Sequence, residues 1–323
     1  MLIFFSNNKY IMDYAKNVLT TTILILVVIA VIVVLYIIFQ KPSSGPESIP
    51  VPVTQTKPVP TKYQKIWGAY SGDTVSSFTN FENKVGKKAD IIAMFADFST
   101  QFPLEFAKQA DATGHILLIF WEPSNVSLDS IISGQYDEYV KNFANQANIY
   151  GKPIILVPMP EMNGNWDSWS GTSGNNSFAK IIEAWRHMHN LFLIAPNVKW
   201  GWTVNNVSVP DTPQNAIVNY YPGDTYVDYV GVDGFNFGNP WQSYADIFSS
   251  ALQQLKIYDK PIYIFSMASA QGSQKAAWIV DALSQIKSDS SIAGFVWFNQ
   301  NKEQNWLVDS DAASLQAFQD GIK

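Results

Sequence analysis

From Tyr63 to the C-terminus, eight short apolar runs alternate with stretches of helical spacing. The runs are KIWGAYS (Lys65–Ser71), DIIAMFAD (Asp90–Asp97), HILLIFWEP (His115–Pro123), PIILVPMPE (Pro153–Glu161), KWGWTVN (Lys199–Asn205), VDYVGVDGFNF (Val227–Phe237), PIYIFSMAS (Pro261–Ser269) and AGFVWFNQ (Ala293–Gln300). Most are apolar throughout rather than at every second residue. That pattern suits strands covered on both faces, as in a parallel sheet. Helical spacing occupies Leu104–Ala112, Ile131–Tyr150, Phe178–Phe192, Tyr244–Leu255, Ala276–Ile286 and Ala312–Phe318. Tyr150-Gly151-Lys152-Pro153 and Tyr258-Asp259-Lys260-Pro261 supply helix-stop chemistry just before two of the strands. Eight strands, each followed by helix or loop, predict a (β/α)8 barrel. A doubly wound sheet is the alternative, but no GxGxxG or GxxxxGK[ST] follows any strand.

The first 62 of the 323 residues follow other rules. Val18–Phe39 is a 22-residue uncharged run, and about 20 apolar residues cross a bilayer core. It exceeds the roughly 7–15 residues of a signal-peptide core, and KPSSGPESIP offers no clear small-residue cleavage site. Residues 1–17 are then a short N-terminal segment, 18–39 a single membrane helix and 40–62 a stalk, with the barrel in 63–323. Lys9 and Lys16 lie on the N-terminal side, which favours an inside N-terminus and an extracellular barrel. Six prolines between Lys41 and Lys62 make the stalk extended and semi-rigid.

Charge narrows the partners. Residues 1–62 carry a net +3 and the remainder −9, with Arg186 the single arginine. A domain of that balance does not grip a phosphate backbone, so nucleic acid is excluded. Zero cysteines remove disulfides and thiolate chemistry. His115, His187 and His189 are the only histidines, and the last two point to different faces of a predicted helix. A zinc site and a Ser-His-Asp triad are therefore not expected, and no cofactor is implied.

The working face of such a barrel lies at the C-terminal strand ends. There the sequence places Tyr70, Asp97, Trp121, Glu122, Glu161, Asn163, Trp166, Trp169, Asn205, Asp233, Asn236, Ser266, Ser269, Trp297 and Asn299. Carboxylates, amides and indoles suit a sugar, whose C–H faces stack and whose hydroxyls need paired donors and acceptors. Any one of these tryptophans could instead be core; their clustering at strand ends favours the ligand. Trp185 and Trp278 sit on predicted helices and read as core.

At VPMPEMNGNWDSW the chain resembles glycoside hydrolase family 26, the β-mannanase and lichenase-like barrels, whose corresponding segment reads roughly H-E-M-N-G-x-W-x-W. FADFSTQFP, FWEPSN, AWRHMHNLF, YVDYVGVDGFNFG, KAAWI and WFNQNKEQNWLVDS resemble further family segments in the family's order, over most of residues 65–323. The resemblance implies Glu161 as general acid/base. It implies a sugar-binding surface from Asn163, Trp166 and Trp169, to which the strand-end reading adds Asp97, Trp121, Glu122, Asp233, Asn236 and Trp297. It also implies a β-linked polysaccharide as partner.

Three positions depart from the family pattern. Pro160 stands where histidine is common, Phe235 where tyrosine is frequent, and Ser266 where the family has its nucleophilic glutamate. A retaining glycosidase needs two carboxyls about 5–5.5 Å apart. A serine hydroxyl is shorter and is not anionic near neutral pH, so it neither attacks nor stabilises an oxocarbenium-like centre as a carboxylate does. Four readings follow. The barrel is a glycan-binding domain with lost or reduced hydrolysis. Or it remains a glycosidase, with Asp97, Glu122 or Asp233 as relocated second carboxylate. Or Ser266 is an introduced change. Or the domain is a structural surface protein without a ligand. Three Asn-x-Ser sequons, at Asn125, Asn175 and Asn206, fall in predicted loops after strands 3, 4 and 5.

Overall fold

The computed structural model describes residues 63–323. The expected N-terminal segment, membrane helix and stalk lie outside the described residues. Among the described residues no helix is long and apolar enough to cross a membrane.

Eight parallel strands close into a barrel in chain order, β1 pairing with both β2 and β8. They are β1 (Ile66–Tyr70), β2 (Ile91–Asp97), β3 (Ile116–Glu122), β4 (Ile154–Pro158), β5 (Val198–Asn205), β6 (Tyr229–Asn236), β7 (Ile262–Ser269) and β8 (Ile292–Phe298). All eight expected strands are present. Alternate residues fill the barrel, among them Ile91 and Ala93, Leu118 and Phe120, Ile155 and Val157, and Ala293 and Val296. The intervening residues pack outward against the helices. Two apolar faces per strand are why the sequence runs are continuous.

The helices are α1 (Val75–Val85), α2 (Leu104–Ala112), α3 (Leu128–Ile132), α4 (Asp137–Tyr150), α5 (Phe178–Leu191), α6 (Tyr244–Leu255), α7 (Lys275–Ser288) and α8 (Ala312–Gly321). Two outcomes differ from the expectation. Helix α1 was not foreseen, although Thr74 caps its first turn by accepting from the Ser77 amide and Gly86 ends it in the left-handed region. The predicted helix over 131–150 is two helices, parted at Gly134, whose φ of 82° a helix interior does not admit. Between β5 and β6 the crossover contains only three short 3-10 turns, at Pro213–Asn215, Ile217–Tyr220 and Asp224–Tyr226.

Strand β7 carries a bulge. Relative to β6, Val232 pairs with Ile264 but Asp233 pairs with Ser266. Relative to β8, Ile264 pairs with Phe295 and Met267 with Trp297. Both neighbours therefore count one extra residue at Phe265–Ser266, which breaks the in-out alternation. Phe265 joins the inner core and Ser266 lines the cleft above it.

Candidate active site

A cleft of about 630 Å³ opens at the C-terminal strand ends and holds Glu122, Glu161, Trp166, Asp167, Asp233 and Ser266 in its wall. Strand β4 ends at Pro158, and the chain then turns sharply to present Glu161. Met159 and Glu161 both adopt left-handed backbone, with φ of 48° and 54°. Such conformations are costly for residues with side chains and persist where the surroundings hold them. The supports are nearby. Trp169 is buried and its indole Nε1 donates to the Pro160 carbonyl at 2.8 Å. Asn163, fully buried, accepts from the Asn205 amide at 2.7 Å and donates back to the Asn205 carbonyl at 3.0 Å. These contacts tie the β4 turn to the end of β5.

Trp166 is the aromatic of that turn which stays open, with 49% of its surface exposed. Its Nε1 donates to Glu161 Oε2 at 3.0 Å. The indole lies directly over Gly164, where a Cβ would come within 2.5 Å of the ring. A glycine is required there for the close approach.

Five sequence-assigned sugar contacts need correction. Asn163 and Trp169 are the buried supports just described. Trp121 faces outward, tilted against Phe98 and Phe143 with its Nε1 donating to Tyr139. Trp297 is buried in the outer shell and donates to the Trp306 carbonyl at 3.0 Å. Asn236 is buried, donating to Ser269 Oγ and accepting from the Gly238 and Gln242 amides. Strand alternation, invisible in a list of strand ends, sends Trp121, Asn236 and Trp297 behind the wall, while Asn163 and Trp169 fold inward within the turn after β4. Asp97 lines an adjoining depression shared with Glu122 and accepts from Ser99.

The sequence reading also missed part of the cleft. Asp167, Lys302, Glu303 and Trp306 contribute to its wall. The last three belong to the loop after β8, which Lys275 holds from below. That lysine is fully buried at the start of α7, and its Nζ donates to the carbonyls of Asn305 and Leu307 and to Ser310 Oγ. Phe237, half exposed, meets Trp306 edge-on at 5.2 Å. Of the sequons, Asn206 lines the cleft and spends its amide on the Ile247 carbonyl, whereas Asn125 and Asn175 are exposed.

Crowded, poorly solvated carboxyls resist ionisation. Burial, then the charge of Asp167, pushes Glu161 up to about 7, against the lowering effect of the Trp166 hydrogen bond. Burial and Asp167 push Glu122 to about 7 as well. Asp167 itself rises to about 6 through burial, opposed by Lys302. Asp233 is held well above the carboxylate range by burial and by Glu161, although Thr203 Oγ1 donates to it at 3.0 Å. Among the described residues no group of three or more metal-ligating acids and histidines is assembled. The cleft thus holds carboxyls raised toward neutral pH and, at position 266, a serine hydroxyl.

Comparison with known proteins agrees with this geometry. Residues 75–320 match the family model described as Glycosyl hydrolase family 26. Endoglucanase H of Acetivibrio thermocellus is 36% identical over 271 residues, which is 79% of this chain but 30% of that protein. A mannan endo-1,4-beta-mannosidase of Bacillus subtilis is 26% identical over 51% of this chain and 43% of its own length. The chain therefore spans less than half of either relative. In fold, the catalytic domain of a Bacillus sp. JAMB-750 endo-beta-1,4-mannanase superposes with a TM-score of 0.63 at 16% identity, covering 80% of this chain and 85% of that one. By its fold, its cleft and this match over most of its length, the chain belongs to glycosyl hydrolase family 26.

Proposed function

We propose that this is a glycan-directed family 26 barrel for β-linked polysaccharide of the mannan or β-glucan type, with hydrolysis of such chains lost or strongly reduced. The observation that carries the reading is Ser266. The β7 bulge puts it in the cleft wall level with Asp233, and the family resemblance implies a nucleophilic glutamate at this position. Names borne by relatives, an endoglucanase and a mannan endo-mannosidase, support the polymer class. Exposed Trp166 and Phe237 on the cleft wall support retained sugar binding. The uncharged run at 18–39 and the proline-rich segment after it support display of the barrel outside a membrane.

The test compares the wild type, Ser266→Glu and Glu161→Ala on β-mannan and mixed-linkage glucan. The wild type is expected to be nearly inert and Ser266→Glu to gain activity, since the acid and its supports are already in place. Ordinary wild-type hydrolysis of either polymer, abolished in Glu161→Ala, would sink the proposal. Calorimetry with the matching oligosaccharides should show binding that weakens in Trp166→Ala.

A second reading keeps the site catalytic with a relocated carboxylate. Asp233 favours it more than Asp97 does, because Asp233 shares the cleft with Glu161.

A further inference from the structure

Three features of the cleft floor stand together beside Glu161. The first is space: Ser266 lines the cleft with a side chain far smaller than the glutamate that the family resemblance implies at this position. The second is Asp233, level with Ser266 in the sheet and only 2% exposed. It is fixed by Thr203 Oγ1 and by the Ser266 backbone N–H, with acceptor capacity remaining on its two oxygens. The third is an apolar wall, where Phe235 and Phe298 meet at 5.8 Å and both line the cleft. Before the acid, Pro160 lines the same cleft and offers no side-chain donor, and its carbonyl is already taken by Trp169.

Asp233 is a poor replacement nucleophile. It is one methylene shorter than the glutamate its neighbour lacks, and two hydrogen bonds hold it at the floor. A substrate that carried its own nucleophile would need just what these residues offer. An acetamido group at sugar C2 has a carbonyl oxygen able to reach C1, an N–H that wants a buried acceptor, and a methyl that wants an apolar wall. Space above Ser266, the Asp233 carboxyl, and Phe235 with Phe298 match those three parts in turn.

We infer that the cleft cleaves β-linked 2-acetamido-2-deoxyhexosides by substrate-assisted retention, with Glu161 as acid/base and Asp233 holding the acetamide N–H. This goes beyond the proposed function and rests on one part of it, the loss of a protein nucleophile, since only such a site needs this help. In the first step Glu161 gives its proton to the glycosidic oxygen as the C1–O bond breaks. The acetamido oxygen bonds to C1, forming an oxazolinium ion whose N–H is held by Asp233. Water then adds to C1 and yields a proton to the Glu161 carboxylate, while the C1–O bond of the oxazolinium breaks and the acetamide is restored. Water is the only co-reactant, and the anomeric configuration is kept.

The full chain is to be assayed on chitotetraose, with product configuration followed by proton NMR and with an N-acetylglucosamine thiazoline as inhibitor. Cleavage to the β-anomer is expected, blocked by the thiazoline. Glu161→Gln should slow it by about 10²–10⁴-fold, and Asp233→Asn by at least roughly 10-fold, because an amide N–H would then face the acetamide N–H. The thiazoline arm uses wild-type protein alone, so it stands even if a variant fails to fold. Absence of chitotetraose cleavage overturns the inference, as does cleavage that Glu161→Gln or the thiazoline leaves untouched. If Ser266→Glu gains β-mannan or β-glucan hydrolysis while the wild type ignores chitotetraose, this inference fails and the proposed function stands. Wild-type hydrolysis of β-mannan or β-glucan at ordinary rates would overturn both.

Discussion

Replacing Trp166 by phenylalanine removes the N–H that reaches Glu161 Oε2 at 3.0 Å while keeping an aromatic face over Gly164. That N–H stabilises the ionised carboxylate, so its loss must raise the Glu161 pKa from its present value of about 7. A hydrogen bond to a charged group contributes about 1.5–3 kcal/mol when shielded from water. With Trp166 half exposed, about 1 kcal/mol is the appropriate scale. One pKa unit corresponds to about 1.4 kcal/mol, so the midpoint should climb by roughly 0.5–1 unit. Carboxyl ¹³C NMR of glutamate-labelled protein reads this directly and needs no substrate; Glu161→Gln identifies the resonance. Because Glu161 and Asp233 influence each other, the titration reports the pair, and the direction of the change is the decisive quantity. An unchanged or lowered midpoint in Trp166→Phe would refute the claim that the indole N–H holds Glu161 toward ionisation.

Three further outcomes follow from the same contacts. Glu122, Glu161, Asp167 and Asp233 all titrate higher folded than unfolded. The folded state therefore binds more protons between about pH 4 and 7, and urea-unfolding stability should fall as pH rises through that window. Asp233→Asn should flatten the decline; acids with lowered values, such as Asp137, act only below about pH 4. Gly231→Ala would set a Cβ 2.2 Å from the Phe265 ring and 2.9 Å from the Tyr263 carbonyl. It should lower stability by about 1–3 kcal/mol in chemical denaturation, and the double variant with Phe265→Ala should lose less than the sum of the two single losses. Lys275→Met strips the carbonyls of Asn305 and Leu307 of a buried donor. About 1–3 kcal/mol of stability should be lost for each carbonyl left unsatisfied, and oligosaccharide binding measured by calorimetry should weaken as the Lys302–Trp306 loop loosens.

Legibility followed the range of the interactions. The barrel strands were readable because burial on both faces imposes continuous apolar runs. Helix α1 was overlooked since its apolar spacing is carried by few residues, Val75, Phe78, Phe81 and Val85, though Thr74 and Gly86 marked its ends. Glu161 was found through a local motif, and Ser266 through its place at the end of an apolar run. Asp167 lay inside the quoted segment around Glu161 and was passed over, whereas the β8 loop was missed because nothing short-range announces that Lys302, Glu303 and Trp306 share the cleft of Glu161.

Sequence by itself determined the fold class and the strand order, each set by periodicity, and marked Glu161 as the candidate acid through residues adjacent in the chain. It also determined that position 266 carries no carboxylate. Only the tertiary structure decided which strand-end side chains face the cleft. Trp121 and Trp297 turn outward by alternation along their strands, Trp166 stays open in the turn after β4, and the β7 bulge puts Ser266 in the cleft. Only the closed barrel brings Glu122 and Glu303 toward Glu161, adding their charge to burial and to that of Asp167 six residues along, and sets Asp233 where Glu161 raises it. The raised Glu161 depends on burial, and in part on charges far apart in sequence, neither of which a local pattern encodes.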